Sequence, residues 1–264
     1  KFNEKIKTEI LKKNKKIRLE LKEVKLLLNP LNFTINVKTF DPKIYINNEE
    51  IELELIITNI SLKSYINNEF SVDDLQISTK EIELNRVILI ARSFKNSAEL
   101  FILNNVVENG FLKADINLKF NKEGKFKDDY EIKGSIKNGK LNFFKENNID
   151  DLNFIFTIKD QQYFLKNIET KLNGIELSSS YIDINEKDNG FIIDGKLKSN
   201  EKNIHIRLFK KFFKNNFKKN NIENLNFSSE NEFSFNISKK FKFSNLNLKS
   251  IINLNNIDYK DDLL

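Results

Sequence analysis

The chain has 264 residues with 44 Lys and Arg, 38 Asp and Glu and a formal net charge of +6, and it is rich in Phe while Gly, Pro and Ala are scarce. With no cysteine and a single histidine, disulfides, thiolate catalysis and cysteine-ligated zinc are excluded. Both signs of charge are interspersed along the chain, which describes a solvated mixed surface and not a basic stripe for nucleic acid.

Phe2, Ile6 and Ile10 fall one helical turn apart, and this spacing predicts a short amphipathic helix over residues 1–16. From Ile17 the period becomes two, with Ile17, Leu19 and Leu21 against Arg18, Glu20 and Lys22. The phase slips near Glu23, where a bulge is expected, and then continues through Val24, Leu26 and Leu28. Strand-length alternation recurs at 44–46, 51–57, 60–62, 70–72, 75–77 and 82–84, separated by turn-forming pairs such as Asn47-Asn48 and Asn67-Asn68.

The clearest run is Leu112, Ala114, Ile116, Leu118 and Phe120, alternating with polar residues and ending at the turn Asn121 to Gly124. Further strands are expected through 130–193. The phrases from Gly134 to Leu141 and from Lys171 to Leu177 each set Gly between hydrophobic stretches, so both read as hairpin turns of a degenerate repeated unit.

One interruption is expected, between Arg207 and Asn220, where Leu208, Phe209, Phe212, Phe213 and Phe217 fall at helical spacing opposite Lys210, Lys211, Lys214, Lys218 and Lys219. That basic helix either plugs the sheet with its Phe stripe or lies on an anionic membrane surface. Alternation then resumes from 221 to 264, and the absence of a capping element and of any Met fits an excised or processed fragment.

Catalytic chemistry has little to work with. His205 sits between Ile204 and Ile206 in an alternating run and reads as an outward strand residue. The pairs Asp73-Asp74, Asp128-Asp129, Asp150-Asp151 and Asp261-Asp262 match no calcium loop and read as solvated turn residues. No phosphate loop occurs, no cofactor or metal is expected, and the chain is not expected to be an enzyme. Phe residues in phase with Ile and Leu belong to an apolar face, so base stacking and a nucleic-acid partner are not expected.

The order of these parts resembles the AsmA-like family of bacterial bridge-like lipid transfer proteins. Asn3 to Lys12 is similar to the amphipathic helix that follows an inner-membrane anchor in that family, and Leu27 to Ile35, with Pro30, resembles its first hairpin. Asp41 to Ile46, Ile60 to Leu62 and Gly134 to Leu141 fit the same template. The resemblance implies a periplasmic protein tethered through an anchor before Lys1, whose long curved antiparallel sheet forms an apolar trough for phospholipid acyl chains.

The expected architecture is therefore mainly β: a helix at 1–16, a groove at 17–206, a basic helix at 207–220 and further sheet at 221–264. Leu53, Leu55, Leu118, Phe120, Phe154, Phe156, Phe233 and Phe235 are the expected groove lining. The competing expectation is a structural or adhesive β-sandwich, which uses the same alternation to cover one sheet with another.

Overall fold

The computed structural model describes residues 17–47, 49–67, 72–95, 97–123, 125, 127–143, 147–187, 190–206, 222–240 and 242–259. The expected helices at 1–16 and 207–220, with Leu208, Phe209, Phe212, Phe213 and Phe217, lie outside the described residues, as does Asp261-Asp262. The fold is mainly β, a long open antiparallel sheet with fifteen strands among the described residues. No described helix is long and apolar enough to cross a membrane.

The chain divides into two compact units. Unit 1 comprises residues 1–139 and 155–161, and unit 2 comprises residues 140–154 and 162–264.

Unit 1 begins with β1 (Ile17–Glu20), β2 (Glu23–Asn29), β3 (Thr34–Phe40), β4 (Lys43–Ile46) and β5 (Glu49–Ser61). After α1 (Leu62–Ile66) come β6 (Val72–Thr79), β7 (Ile82–Glu83), α2 (Leu84–Phe94), α3 (Ala98–Val106), β8 (Val107–Lys119) and β9 (Glu131–Phe143). The hydrogen-bonded order is β1-β4-β5-β6-β8-β9, with β2 and β3 joined through β5 and β7 joined to β8. β5 is long enough to hold two partners in succession, β4 along 49–52 and β3 along 55–61.

The phase slip at Glu23 is not a bulge. β1 and β2 are separate strands, the first pairing with β4 and the second with β3, so the chain changes partner there. A bulge lies instead in β5, where Leu53 is opposite Thr79 and Leu55 opposite Ser78, leaving Glu54 as the extra residue.

A second correction concerns 84–106, where the two helices α2 and α3 add to the interruption expected at 207–220. Ile88 is the buried residue of α2, and Arg86 fastens the helix by donating to the Glu50 carbonyl. Ser97 caps α3 by accepting from the Leu100 N–H at 3.4 Å. Likewise Leu62, expected in a strand, opens α1, whose N-cap Ser61 accepts from Ser64 N–H at 3.2 Å.

Unit 2 takes up part of β10 (Asn147–Lys159) and then β11 (Gln162–Leu172), β12 (Ile175–Lys187), β13 (Gly190–His205), β14 (Ile222–Ser238) and β15 (Phe243–Tyr259). These strands follow in sequence order as neighbours. Asn173 and Gly174, with φ of 51° and 84°, make the two-residue β11–β12 turn, the conformation that an Asn-Gly pair adopts without strain. The corresponding phrase in unit 1 behaves differently. Gly134 and Gly139 both lie inside β9, so the expected turn from Gly134 to Leu141 is a continuous strand. A glycine marks either a turn or a close approach, and Gly134 marks the latter: a Cβ there would stand 2.6 Å from the Phe156 ring and closer still to the Lys113 carbonyl.

Candidate functional site

Residues opposite one another in antiparallel strands project to the same side, so register sorts every strand residue onto one of two faces. In unit 1 one face is apolar. It carries Leu19, Ile44 and Ile51 in one row, Val37, Thr58, Leu75 and Leu118 in another, and Ile56, Ile77 and Ile116 between. Leu53 at 2% exposure, Val37 at 4% and Ala114 at 5% form its buried centre. Thr79 is also buried there and satisfies its hydroxyl by accepting from the Ala114 N–H at 2.9 Å.

The opposite face of unit 1 is charged and paired. Lys43 reaches Glu50 at 2.5 Å and Glu52 at 3.6 Å, Lys80 reaches Asp41 at 3.1 Å, and Lys113 reaches Glu54 at 2.7 Å. The hydrogen bond from Lys43 holds the Glu50 carboxyl below its ordinary range. Tyr45 donates to Glu20 at 3.1 Å while Arg18 stacks 4.1 Å from its ring. An apolar patch on this face, Phe40 beside Leu55 and Ile57, is bordered by Lys25 and Lys38, each 5.0 Å from the Phe40 ring.

In unit 2 the apolar face is built from Leu165, Ile182, Gly195, Phe233 and Leu248 in one row and Tyr163, Ile184, Ile193 and Phe235 in the next. Phe233 lies 5.8 Å from Phe235, which lies 5.7 Å from Phe243. The Phe233 ring also covers Gly195, where a Cβ would meet it at 2.8 Å. The charged face carries Lys196–Glu232 at 2.7 Å and Lys198–Glu230 at 3.0 Å.

The expected lining residues are distributed as follows. Leu53, Leu118 and Phe120 share the apolar face of unit 1, and Phe156, 9% exposed, closes over Gly134. The bulge at Glu54 turns Leu55 to the charged face, opposite Phe40 and Ser78. Phe154 is half-buried in β10, and Phe233 and Phe235 occupy the apolar face of unit 2. The register adds Leu165, Ile182, Ile184, Ile193 and Leu248 to that face, all of them visible in the alternation but not singled out from it.

A cleft of about 650 Å³ lies in unit 2, and it opens largely on the charged face: Glu169, Ser178, Lys198, Glu230, Lys196, Glu232 and Lys249 line it. Three Lys face three Glu, and two of the pairs are closed, so the cleft offers no net charge to an ionic ligand. Ser178, Ser179 and Ser180 line it with no imidazole among the lining residues. His205 is exposed on β13 opposite Asn224. Among the described residues no cluster of three or more His, Cys, Asp or Glu could hold a metal ion.

The acidic pairs are strand residues in two cases, correcting their reading as turns. Asp73-Asp74 belongs to β6, where Asp74 accepts from the Asn59 amide at 2.9 Å, and Asp150-Asp151 belongs to β10, where Asp151 pairs with Lys171 at 2.7 Å. Asp128-Asp129 lies in the connection before β9, with Asp129 paired to Lys119 at 2.6 Å.

Comparison with protein-family models, with curated proteins and with solved structures finds no match.

Proposed function

We propose that the apolar face of the sheet binds acyl chains of phospholipids, and that the protein is a non-enzymatic, AsmA-like lipid-binding segment of the bacterial periplasm. The observation that carries this reading is in unit 2: every described element there is a strand of the sheet, so no described layer faces Leu165, Ile182, Ile184, Ile193, Phe233 and Phe235. All six remain half-buried despite neighbours on both sides. An apolar face of this extent gains about 25 cal/mol for each Å² taken from water, and an acyl chain supplies cover without demanding a hydrogen bond.

The charged face suits solvent, because its ion pairs are closed within the sheet. Selectivity among acyl chains is expected to be low, since the face offers area and shape but few polar contacts. The sandwich reading requires a second layer over the same residues, and the described part of unit 2 supplies none. Periplasmic location and tethering to the inner membrane rest on the resemblance alone.

Lipid extraction and native mass spectrometry of the purified chain test this. Phospholipid is expected to co-purify, and the double substitution Ile193→Ser with Phe235→Ser, across one β13–β14 pair, is expected to remove most of it while the far-ultraviolet circular dichroism is retained. A lipid-free chain that also fails to take up a fluorescent fatty-acyl probe would overturn the reading.

A further inference from the structure

We propose that β15 is a dimerisation edge, pairing antiparallel with β15 of a second copy of this chain about a two-fold axis through Ser250. One edge of β15 is hydrogen-bonded to β14, and among the described residues no strand pairs with the other. Every side chain from Phe243 to Asn256 is exposed, with Leu246 at 71%, Leu248 at 58%, Ile252 at 63% and Leu254 at 54%. Natural sheets protect a free edge with charges, proline, bulges or a short strand. The bulges of β15 lie towards its ends, at 245–246 and at Asn255, which leaves 247–254 in regular register with β14. β15 is 17 residues long, contains no proline and carries only Lys249 and Asp258 as charges.

A free row of N–H and C=O groups calls for another strand, and the sequence identifies which one. From 245 to 255 it reads Asn-Leu-Asn-Leu-Lys-Ser-Ile-Ile-Asn-Leu-Asn, which is nearly a palindrome about Ser250. Antiparallel self-pairing with Ser250 opposite its own copy sets Asn247 against Asn253 and Leu248 against Ile252 of the partner, with Leu246 and Leu254 facing each other at the margin. An isologous interface requires this self-complementarity, in which each residue meets the residue that meets it. No like charges are opposed, since Lys249 falls against Ile251.

A ladder over the regular stretch 247–253 forms about six to eight interstrand hydrogen bonds, within the range carried by a stable interface of ordinary size. The axis is perpendicular to the sheet, so both copies keep their apolar faces on the same side. The row that runs through Phe233 and Leu248 then continues into Ile252 of the partner, and the two apolar faces become one.

The test reads oligomeric state by light scattering across protein concentration, with circular dichroism as the folding control. The parent chain is expected to be a dimer. Asn247→Lys with Asn253→Lys places like charges opposite one another twice and is expected to weaken the dimer about tenfold or more. Asn247→Lys with Asn253→Asp, which keeps one of the same substitutions, creates opposite-charge pairs in this register and is expected to retain it. A monomeric parent, as when the edge serves a strand of another protein or of a longer form of this chain, would overturn the proposal. So would a dimer on which the two double variants act alike, because the contact would then use another register or another surface.

Discussion

The two units apply one sequence rule and reach different degrees of burial. In unit 1 the apolar face closes into a small core around Leu53, Val37 and Ala114, whereas in unit 2 burial is confined to places such as Ile204 at 2% and Ile168 at 5%. The rows of unit 2 through Phe233 and Phe235 stay half-buried and run to β15, whose outer edge no described strand pairs. The difference lies in what surrounds the alternation. β5 shares its length between β3 and β4, and the turn that joins them brings Pro42 into full burial beside Leu53, with Leu53 N–H donating to the Pro42 carbonyl at 3.0 Å. Among its described residues unit 2 has long strands, each with one partner along a side, and no such corner. Alternation chooses the side of a residue; coverage is decided by its neighbours.

The largest expected effect tests that contrast directly. Leu53→Ala removes a fully buried side chain and should cost about 3 kcal/mol or more, while Leu248→Ala, 58% exposed in the single chain, should cost less than about 1 kcal/mol in chemical denaturation at protein concentrations low enough for the monomer. Equal losses would mean that β15 is covered as completely as β5.

A smaller contrast separates the two glycines that lie under phenylalanine rings. At Gly134 an added methyl meets the Lys113 carbonyl as well as the Phe156 ring, and backbone cannot step aside. Gly134→Ala should therefore cost about 2–3 kcal/mol. At Gly195 it meets the tip of the Phe233 ring and Cγ1 of Ile182, with the Tyr181 carbonyl at 3.2 Å, and Gly195→Ala should cost about 1 kcal/mol, read as the smaller fall in melting temperature.

The smallest effect is electrostatic. Hydrogen bonds from Lys43, Lys119 and Lys196 hold Glu50, Asp129 and Glu232 below their ordinary carboxyl values. A carboxyl with a lowered folded pKa takes up its proton first in the unfolded chain, so its contribution is complete above the unfolded value, about 4, and fades as pH falls through the folded one. A shallow decline in melting temperature below pH 4 is expected, reduced by salt because these pairs are exposed. Lys196→Gln should remove the share of Glu232, lowering the melting temperature slightly at neutral pH and leaving it unchanged at the acid end of the range.

Much of this architecture is legible in the alternation itself. The run from Leu112 to Phe120 and the strands from Leu152 onward appear where the period of two places them, and Asn173-Gly174 turns where an Asn-Gly pair should. The helical pair at 84–106 is not legible, because Val87-Ile88-Leu89-Ile90 is as suited to a strand as to a helix and only packing against β8 decides. Gly134 misleads because the same residue type serves a turn and a close approach. The side taken by Leu55 is hidden for a different reason: a bulge leaves no mark on a pattern of alternation until the partner strand is known.

That single unpaired residue, Glu54, bears on how such a chain can change its length. Loss or gain of one residue within a strand reverses the orientation of everything beyond it in that strand, exchanging oil for charge along the whole remaining span. Whole hairpins, by contrast, can be inserted or lost without inverting anything. A lineage of such sheets is therefore free to lengthen by duplicated pairs, whereas a single added residue is tolerated only where a bulge absorbs it, as at Glu54 in β5 and at the register shifts of β13 and β15.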